Sequence, residues 1–349
     1  MTGPADDEVT AAIFLVSRVG DQEAGLVKKL LEATGHPVTR LDAEFAPSGG
    51  LVVDLDRRAI LVDGRWIRPT VTWLRHFTDR AMPAQHRALR RAFSADSWPA
   101  LADQIQVVSM AAVAHRDPGL LVQLAAASTC GVPIPRTLVT TEPGEAAKRL
   151  ASPRVIVKAL HRHFIEASPG LLTGVFPEVV AGGALHRIPA GPPVVVQEYM
   201  DHDTEIRLYY ARGQPPVAFA IAKPGPGSEW LDPAAVSAEW IEPPEPVASA
   251  AAALAESLSI DYGAFDFLIS DGKPVFLEVN LAGDWRWLEN KIGAAPVTTA
   301  VVRMLRSMHR RSVANDRRLS GGSASGVSPV LFLSSGVSRA SVDKNEQAL

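Results

Sequence analysis

Residues 266–280 constrain the fold of this chain more than any other segment, because they set oxygen-bearing side chains at strand spacing around one tight turn. Glu278 and Asn280 are two residues apart, so an extended chain points both of them to the same face. Phe276 and Leu277 begin the apolar run that anchors this strand. The segment therefore predicts a β-hairpin with polar groups on one face.

The turn decides whether Asp266 joins that face. A three-residue Ser270-Asp271-Gly272 loop, with the glycine at positive φ, would place Asp266 beside Glu278, whereas a two-residue Asp271-Gly272 turn would send it to the opposite face. Carboxylate and amide oxygens suit Mg²⁺ that is shared with nucleotide phosphates. Two interpretations stay open here: a metal site of Asp266, Glu278 and Asn280, or a surface hairpin with a solvated acidic rim.

The composition narrows the class of protein and its partners. Charged residues make up 21% of the 349 residues, hydrophobic residues 47%, and the formal net charge is −3, which is an ordinary globular balance and not that of a nucleic-acid-binding protein. The single Cys130 excludes an intrachain disulfide framework and a cysteine-based zinc site. The first eight residues lack a basic signal region, and the apolar run over 11–17 is too short to span a bilayer. We therefore expect a cytoplasmic protein with no nucleic-acid and no membrane partner.

Hydrophobic patterning predicts a mixed α/β chain with several units. Residues 11–16 form a buried strand in this interpretation, followed by a helix that begins at the N-cap Asp21 and ends at Gly35. The last amphipathic helix is expected over 296–309, before a linker-like Ser/Gly-rich stretch. The predicted segments are an N-terminal open α/β domain over 10–110, a central unit over 111–195, a C-terminal unit with the metal site over 196–312, and a disordered tail over 313–349.

Two strands carry residues that could contact a nucleotide. Lys158 lies inside the apolar run 155–160, and a buried ammonium needs an anion such as a phosphate, although a lysine that reaches solvent from a strand end is an alternative. Gln197, Glu198 and Met200 close another buried strand. They could present backbone groups to an adenine edge, or they could simply end a core strand.

A third strand alternates charges. Asp203, Glu205 and Arg207 are spaced two apart, so all three share a face on which acids could take ribose hydroxyls and the guanidinium could hold a phosphoryl group. A salt-bridged surface strand is the alternative. Lys223 could add positive charge from the neighbouring Pro/Gly-rich loop. The sequence contains neither GxxxxGK[ST] nor GxGxxG, so it supports neither a P-loop NTPase nor a Rossmann dehydrogenase.

The ordered set of strand lysine, hinge strand, acid-acid-arginine strand and final Asp…Glu-x-Asn resembles the ATP-grasp ligases. Within that superfamily the chain is most similar to the graspetide synthetases, the microviridin-type maturases of ribosomal peptides. The segments that carry the likeness are Val38–Asp42, Trp73-Leu74-Arg75, residues 131–140 (Gly-Val-Pro-Ile-Pro-Arg-Thr-Leu-Val-Thr) and the block from Phe276 to Glu289. The resemblance runs from about residue 11 to about residue 310. It implies an ATP-grasp fold preceded by an N-terminal pre-ATP-grasp domain.

The resemblance also implies a ligand set and a reaction. ATP and Mg²⁺ are the expected cofactors, and a precursor peptide with leader and core is the expected partner, with a homodimer as a further expectation. The implied roles are phosphate binding for Lys158, adenine binding for Glu198 and Met200, ribose or magnesium contact for Asp203 or Glu205, phosphoryl stabilisation for Arg207, and Mg²⁺ binding for Asp266, Glu278 and Asn280. The implied reaction phosphorylates an Asp or Glu side chain of the peptide, and a Ser, Thr or Lys side chain then closes an ester or amide ring. Catalysis would come mainly from positioning and charge neutralisation.

The chain departs from the family pattern in the loop after Lys158, which has His161, Arg162 and His163 where glycines are expected, and at two further positions. Arg116 lies where a second phosphate lysine is common, and Asp284 lies where glutamine is common before the first tryptophan of the C-terminal signature. Two other functions stay open for the same residues. One is a carboxylate–amine ligase like glutathione synthetase, acting on a free amino acid or a protein tail. The other is a nucleotide- or leader-peptide-binding protein without catalysis.

Overall fold

The structure is a computed structural model. It describes residues 9–77, 88–113, 117–160, 164–168, 171–174, 177–225 and 233–321. The chain divides into two units, Met1–Val313 and Ala314–Leu349. All of the sheets and the site below belong to the first unit. In the described part of the chain, no helix has the length and apolar character needed to cross a lipid bilayer.

The N-terminal sheet has parallel strands at its centre. Its strands are β1 (Thr10–Ser17), β2 (Val38–Asp42), β3 (Val52–Asp54), β4 (Ala59–Val62), β5 (Arg65–Leu74) and β6 (Ala112–Val113). β1 pairs in parallel with β2 and β5, and β5 pairs in parallel with β6, whereas β3 and β4 extend the sheet as an antiparallel ribbon. The carboxyl ends of β1 and β5 therefore lie side by side.

Two helices accompany this sheet. Helix α1 (Gln22–Ala33) begins as predicted at Asp21, whose Oδ1 accepts a hydrogen bond from the Ala24 N–H at 2.9 Å. Gly35 follows the helix with φ +76°, a conformation that glycine adopts without steric cost. Helix α2 (Ala88–Gln104) leads into a 3₁₀ turn over Ile105–Val108 before β6.

The central unit is built on an antiparallel sheet in the order β11-β8-β12-β7. Its strands are β7 (Thr137–Thr140), β8 (Arg154–Ala159), β11 (Glu178–Ala181) and β12 (Val194–Glu198), and the separate pair is β9 (Phe164–Ser168) with β10 (Leu171–Gly174). Helix α3 (Leu120–Thr129) precedes the sheet, and α4 (Pro143–Leu150) packs on it. Ala146, Leu150 and Val155 belong to a small core that is separate from the main one.

The third sheet, which is also within Met1–Val313, is the C-terminal sheet; it is antiparallel, in the order β15-β14-β13-β16-β17. Its strands are β13 (Thr204–Ala211), β14 (Val217–Ala222), β15 (Ser237–Ile241), β16 (Tyr262–Ser270) and β17 (Lys273–Asn280). The helices are α5 (Glu245–Ser257), α6 (Arg286–Ile292) and α7 (Pro296–Gly321). The last helix begins where the sequence predicts but continues beyond residue 309.

One aromatic cluster joins the first and third sheets. The indole rings of Trp73 on β5 and Trp285 before α6 lie parallel, with centroids 6.2 Å apart. The Tyr262 ring packs edge-on against both, at 5.4 and 5.7 Å. All three side chains are fully buried in a core that contains residues of both sheets. The N-terminal sheet and the C-terminal sheet are therefore packed as one body around a shared core.

Candidate active site

The hairpin of β16 and β17 combines a short turn with a bulge. Ser270 pairs with Lys273, so the turn has two residues, and its Asp271 and Gly272 have φ of 49° and 71°. A two-residue turn alone was expected to turn Asp266 away from Glu278. The register shifts next to Asp266, however, so that Phe267 faces Phe276 while Asp266 faces Glu278. The extra residue of this bulge is Leu277.

The bulge therefore brings both acids to one face, where they extend a row of charges across three strands. Arg207 on β13 pairs with Asp266 on β16, and Asp266 pairs with Glu278 on β17. The Arg207 guanidinium donates two hydrogen bonds to Asp266, from Nε to Oδ1 at 2.7 Å and from Nη2 to Oδ2 at 3.0 Å. Arg207, Asp266 and Glu278 all line a cavity between the central and C-terminal sheets.

Lys158 reaches this row from the opposite sheet. It lies on β8 with only 6% of its surface exposed, and its Nζ lies 3.4 Å from Glu278 Oε2. The lysine therefore does not extend to solvent, which was the alternative interpretation of the sequence. Its ammonium crosses the cavity to the hairpin of β16 and β17, so residues 120 positions apart in the chain meet at one point.

Charge and burial compete at Asp266. Burial raises the pKa of the Asp266 carboxyl, and the negative charge of Glu278 acts in the same direction, while the charge and hydrogen bonds of Arg207 oppose both. Two carboxylates that face each other in a partly buried row favour a cation between them. In the described part of the chain, no three His, Cys, Asp or Glu side chains form a metal-binding cluster. The predicted set thus depends on two carboxylates and the amide of Asn280.

Asn280 and Asp203 lie at the margins of the site. Asn280 is two residues beyond Glu278 on β17 and hence on the same face, but it is exposed and does not line the cavity. Asp203 precedes β13, is also exposed, and likewise lies outside the cavity lining. Arg116 lies outside the described residues. The structure therefore brings together most of the predicted residues, and places these two at its edge.

A second set of charged or titratable side chains, Lys223, Glu205 and His202, also lines the cavity. Lys223, which follows β14, lies with its Nζ 2.8 Å from Glu205 Oε2, and His202 Nε2 lies 3.5 Å from Glu205 Oε1. The His202 Nδ1 lies 3.0 Å from the Met200 carbonyl oxygen, which accepts its hydrogen bond. The sequence analysis missed His202, although its position between the hinge strand and Glu205 was an available signal.

The hinge between the two sheets forms the other wall. Gln197 is buried and donates from Nε2 to Thr137 Oγ1 at 2.8 Å, and Glu198 Oε1 accepts the Arg136 backbone N–H at 2.7 Å. Gln197, Glu198 and Met200 all line the cavity, whose apolar side is formed by Ile156, Ile221, Leu268 and Leu277. A slot with apolar walls and hinge backbone at one end, and cations at the other, suits a purine nucleotide.

Two comparisons by sequence find nothing similar: no protein-family model matches the chain, and no curated protein matches it. The comparison with solved structures does find similar folds. The macrocyclase MdnC from Microcystis aeruginosa, bound with its precursor peptide MdnA, is 19% identical, with a TM-score of 0.68 over 85% of this chain and 99% of that chain. The ATP-grasp ligase PsnB, complexed with a minimal precursor, Mg and ADP, is 22% identical, with a TM-score of 0.68 over 87% of this chain and 100% of that chain.

A third similar structure is the D-alanine–D-alanine ligase from Bacillus anthracis, which is 13% identical, with a TM-score of 0.52 over 89% of this chain and 100% of that chain. At these identities the likeness establishes the fold. The chain has the ATP-grasp fold, as the sequence predicts, and the expected likeness to peptide-maturing ATP-grasp ligases is confirmed at that level.

Proposed function

From this ATP-grasp fold, we propose that the protein is an ATP-dependent ligase of the cytoplasm. It activates Asp or Glu side chains of a ribosomal precursor peptide as acyl phosphates and closes ester or amide crosslinks within that peptide. The observation that carries the proposal is the row of Arg207, Asp266 and Glu278, which faces Lys158 across the cavity.

The residues of the cavity fit ATP and Mg²⁺. Asp266 and Glu278 supply hard carboxylate oxygens, and Asn280 adds an amide oxygen farther along the same face. Bound Mg²⁺ would neutralise negative charge on the phosphates. Lys158 and Arg207 hold phosphate oxygens, the hinge from Gln197 to Met200 holds the adenine, and Glu205 with Lys223 lies where a ribose is expected.

In this reaction the protein positions the peptide and ATP and stabilises the negative charge of the phosphoryl group. The substrate carboxylate attacks the terminal phosphorus of ATP and ADP leaves, which gives an acyl phosphate on the peptide. Arg207 stabilises the charge of the transferring phosphoryl group, because Asp266 fixes the position of its permanently charged guanidinium in the row that faces Lys158. A hydroxyl or amine of the same peptide then attacks the acyl carbon, and inorganic phosphate leaves. Each ring closure therefore lowers the mass of the peptide by one molecule of water.

The peptide substrate is supported by the similar structures. The MdnC structure holds a precursor peptide, and a PsnB structure holds a minimal precursor with Mg and ADP. The same fold also holds a leader and core peptide with ADP in a peptide-associated ligase from Chryseobacterium gregarium, at 19% identity and a TM-score of 0.62. We infer a leader-and-core precursor for this chain as well. A homodimer stays a prediction.

Co-expression followed by mass spectrometry tests the proposal. The protein is produced together with each short, Ser/Thr- and Asp/Glu-rich peptide encoded beside its gene. We expect the mass of one peptide to fall by one water for each ring. Glu278→Gln is expected to abolish the loss, whereas Glu239→Gln, at an exposed position of β15 in the same sheet, serves as the matched control. Water loss that persists in Glu278→Gln would remove the metal assignment.

A second candidate is a carboxylate–amine ligase that acts on a free amino acid or a protein tail. The likeness to D-alanine–D-alanine ligase favours it. ADP release with free amino acids and no peptide would support this candidate. Mg-ATP binding without turnover on any peptide or amino acid would instead indicate a binding protein without catalysis.

A further inference from the structure

A buried charge network lies where the loop after β17 meets the N-terminal sheet. The Arg75 Nε donates to Asp21 Oδ2 at 2.8 Å, and Arg75 Nη2 donates to Asp284 Oδ1 at 2.7 Å. The guanidinium lies 5.0 Å from the ring centroids of both Trp73 and Trp285. Asp21 and Arg75 follow the adjacent carboxyl ends of β1 and β5, the edge at which open α/β sheets bind ligands.

One end of this network opens to solvent as a histidine–aspartate pair. The side chains of Asp21 and Arg75 are 0% and 1% exposed, whereas those of His76 and Asp284 are 27% and 50% exposed. His76 Nε2 lies 2.7 Å from Asp284 Oδ1. Because that carboxylate oxygen can only accept, Nε2 donates this hydrogen bond, and Nδ1 is the ring nitrogen left to take a proton from a substrate.

The loop that carries Asp284 contacts the strand and the guanidinium of the charged row. The Tyr209 hydroxyl donates to the Asp284 carbonyl oxygen at 2.6 Å. Tyr209 is two residues from Arg207 on the same face of β13, a separation of about 7 Å on an extended strand. Trp287, three residues beyond Asp284, lies over the Arg207 guanidinium at 5.8 Å and lines the cavity. The loop thus fixes the position of Asp284 relative to the phosphoryl-transfer residues.

We propose that His76, oriented by Asp284, is the general base of ring closure. The assignment rests on the proposed function and adds the proton acceptor that its second half-reaction requires. An imidazole held by a carboxylate is the arrangement that activates hydroxyl nucleophiles in other enzymes. In the described part of the chain, Asp284 and Arg75 contact His76 Nε2, at 2.7 and 3.5 Å, and Asp21 interacts with His76 electrostatically.

The step balances without a further reactant. His76 Nδ1 takes the proton of a Ser or Thr hydroxyl, and the freed oxygen attacks the acyl carbon. For a Lys side chain, His76 takes one proton of the ammonium, the amine attacks, and the second N–H proton leaves with the inorganic phosphate. The bond from that carbon to the phosphate oxygen breaks, and inorganic phosphate leaves with the electron pair. Asp284 stabilises the imidazolium, which then returns its proton to solvent. Burial acts to raise the pKa of Asp284, but the hydrogen bond and charge of His76 and the charge of Arg75 bring that pKa below its ordinary value, so the carboxylate is charged at neutral pH.

The test separates the two half-reactions. The full-length protein is incubated with ATP, Mg²⁺ and the synthetic form of the peptide that loses water in co-expression, with and without hydroxylamine. Hydroxylamine is uncharged at neutral pH and captures an acyl phosphate as a hydroxamate without a base. We expect His76→Gln to slow ring closure by ~10²- to 10⁴-fold while hydroxamate formation stays near the wild-type rate. His186→Gln, at an exposed histidine of the central unit, is the control that retains both.

Asp284→Asn provides a readout that a purely structural role would not change. Loss of the carboxylate makes the imidazolium less stable, so the acidic limb of the pH–rate profile of ring closure is expected to move to lower pH. Undiminished ring closure in His76→Gln, an equal loss of both half-reactions in a folded His76→Gln, or an unshifted pH profile in Asp284→Asn would each overturn the assignment. Absence of any hydroxamate with the wild-type protein would instead refute the proposed function.

Discussion

The carboxylate of Asp21 offers a quantitative test of the contact between the N-terminal sheet and the loop after β17 that carries Asp284. Besides Arg75, it accepts hydrogen bonds from Ser17 Oγ at 2.6 Å and from the Ala24 N–H at 2.9 Å. Burial acts to raise its pKa, but the charge of Arg75 and these hydrogen bonds lower it from an ordinary 3.8 to about 2. Asp21→Asn keeps the shape and part of the helix cap but removes the charge.

The size of the effect follows from this pKa. This lowering of the Asp21 pKa corresponds to roughly 2–3 kcal/mol of folding stability that is present above pH 3.8 and is lost as the pH falls through 2. Since Asp21→Asn also leaves the buried Arg75 guanidinium paired with Asp284 but no longer with Asp21, we expect a total loss near the lower end of about 3–5 kcal/mol at pH 7. The difference between the wild type and the variant should shrink by about 1 kcal/mol between pH 7 and pH 3.

Urea unfolding followed by tryptophan fluorescence measures this difference, because Trp73 and Trp285 flank the guanidinium. Asp42→Asn is the control, since Asp42 ends the neighbouring strand β2 and pairs with Arg40 at 2.7 Å. Burial raises the pKa of Asp42 despite Arg40, so the wild type should gain stability relative to Asp42→Asn as the pH falls. An Asp21→Asn deficit that is equal at pH 7 and pH 3 would refute the assignment of a charged, paired Asp21.

Three further substitutions probe the site. Arg207→Lys keeps the positive charge but loses the two hydrogen bonds by which Asp266 positions the guanidinium, and we expect ATP turnover with peptide to fall by ~10²- to 10³-fold; a change of only a few-fold would argue against phosphoryl stabilisation. Lys158→Met should weaken ADP binding, measured by calorimetry, by ~10- to 100-fold, while Lys148→Met, at an exposed lysine, should bind normally; equal affinities would exclude a phosphate contact. Gly272→Ala places a side chain at φ 71° with no atom within 4 Å, so the free energy of unfolding should fall by ~1–2 kcal/mol, and an unchanged value would contradict the turn geometry.

Local patterns were sufficient to predict most of the elements and the core of the site. The helix cap at Asp21 depends on neighbouring residues alone, so the sequence reveals it. The sequence also placed the hairpin turn, but it left a two-residue and a three-residue loop open, and the structure has the two-residue turn. The bulge at Leu277 was not predictable in this way. It depends on how β17 packs against β16 and the cavity, and a register shift of one residue leaves no mark in the hydrophobic pattern of so short a strand.

Contacts between segments that are distant in the chain were the other feature that could not be predicted from the sequence. The Arg75–Asp284 pair joins residues 209 positions apart, and the parallel stacking of Trp73 and Trp285 beside it is an equally long-range contact. The sequence identified Asp284 as a departure from the family pattern and gave no partner for it. The same reasoning placed Asp203 with Glu205 and Arg207 on one strand face, but β13 begins at Thr204, and Asp203 lies in the exposed turn before it.

Oxygen tracing tests the central claim most directly. The precursor peptide is prepared with ¹⁸O in its Asp and Glu side-chain carboxyls and is cyclised by the wild-type protein with unlabelled ATP. Activation as an acyl phosphate predicts that one ¹⁸O atom appears in inorganic phosphate for each ring formed. Phosphate without label, or label in AMP, would contradict the account.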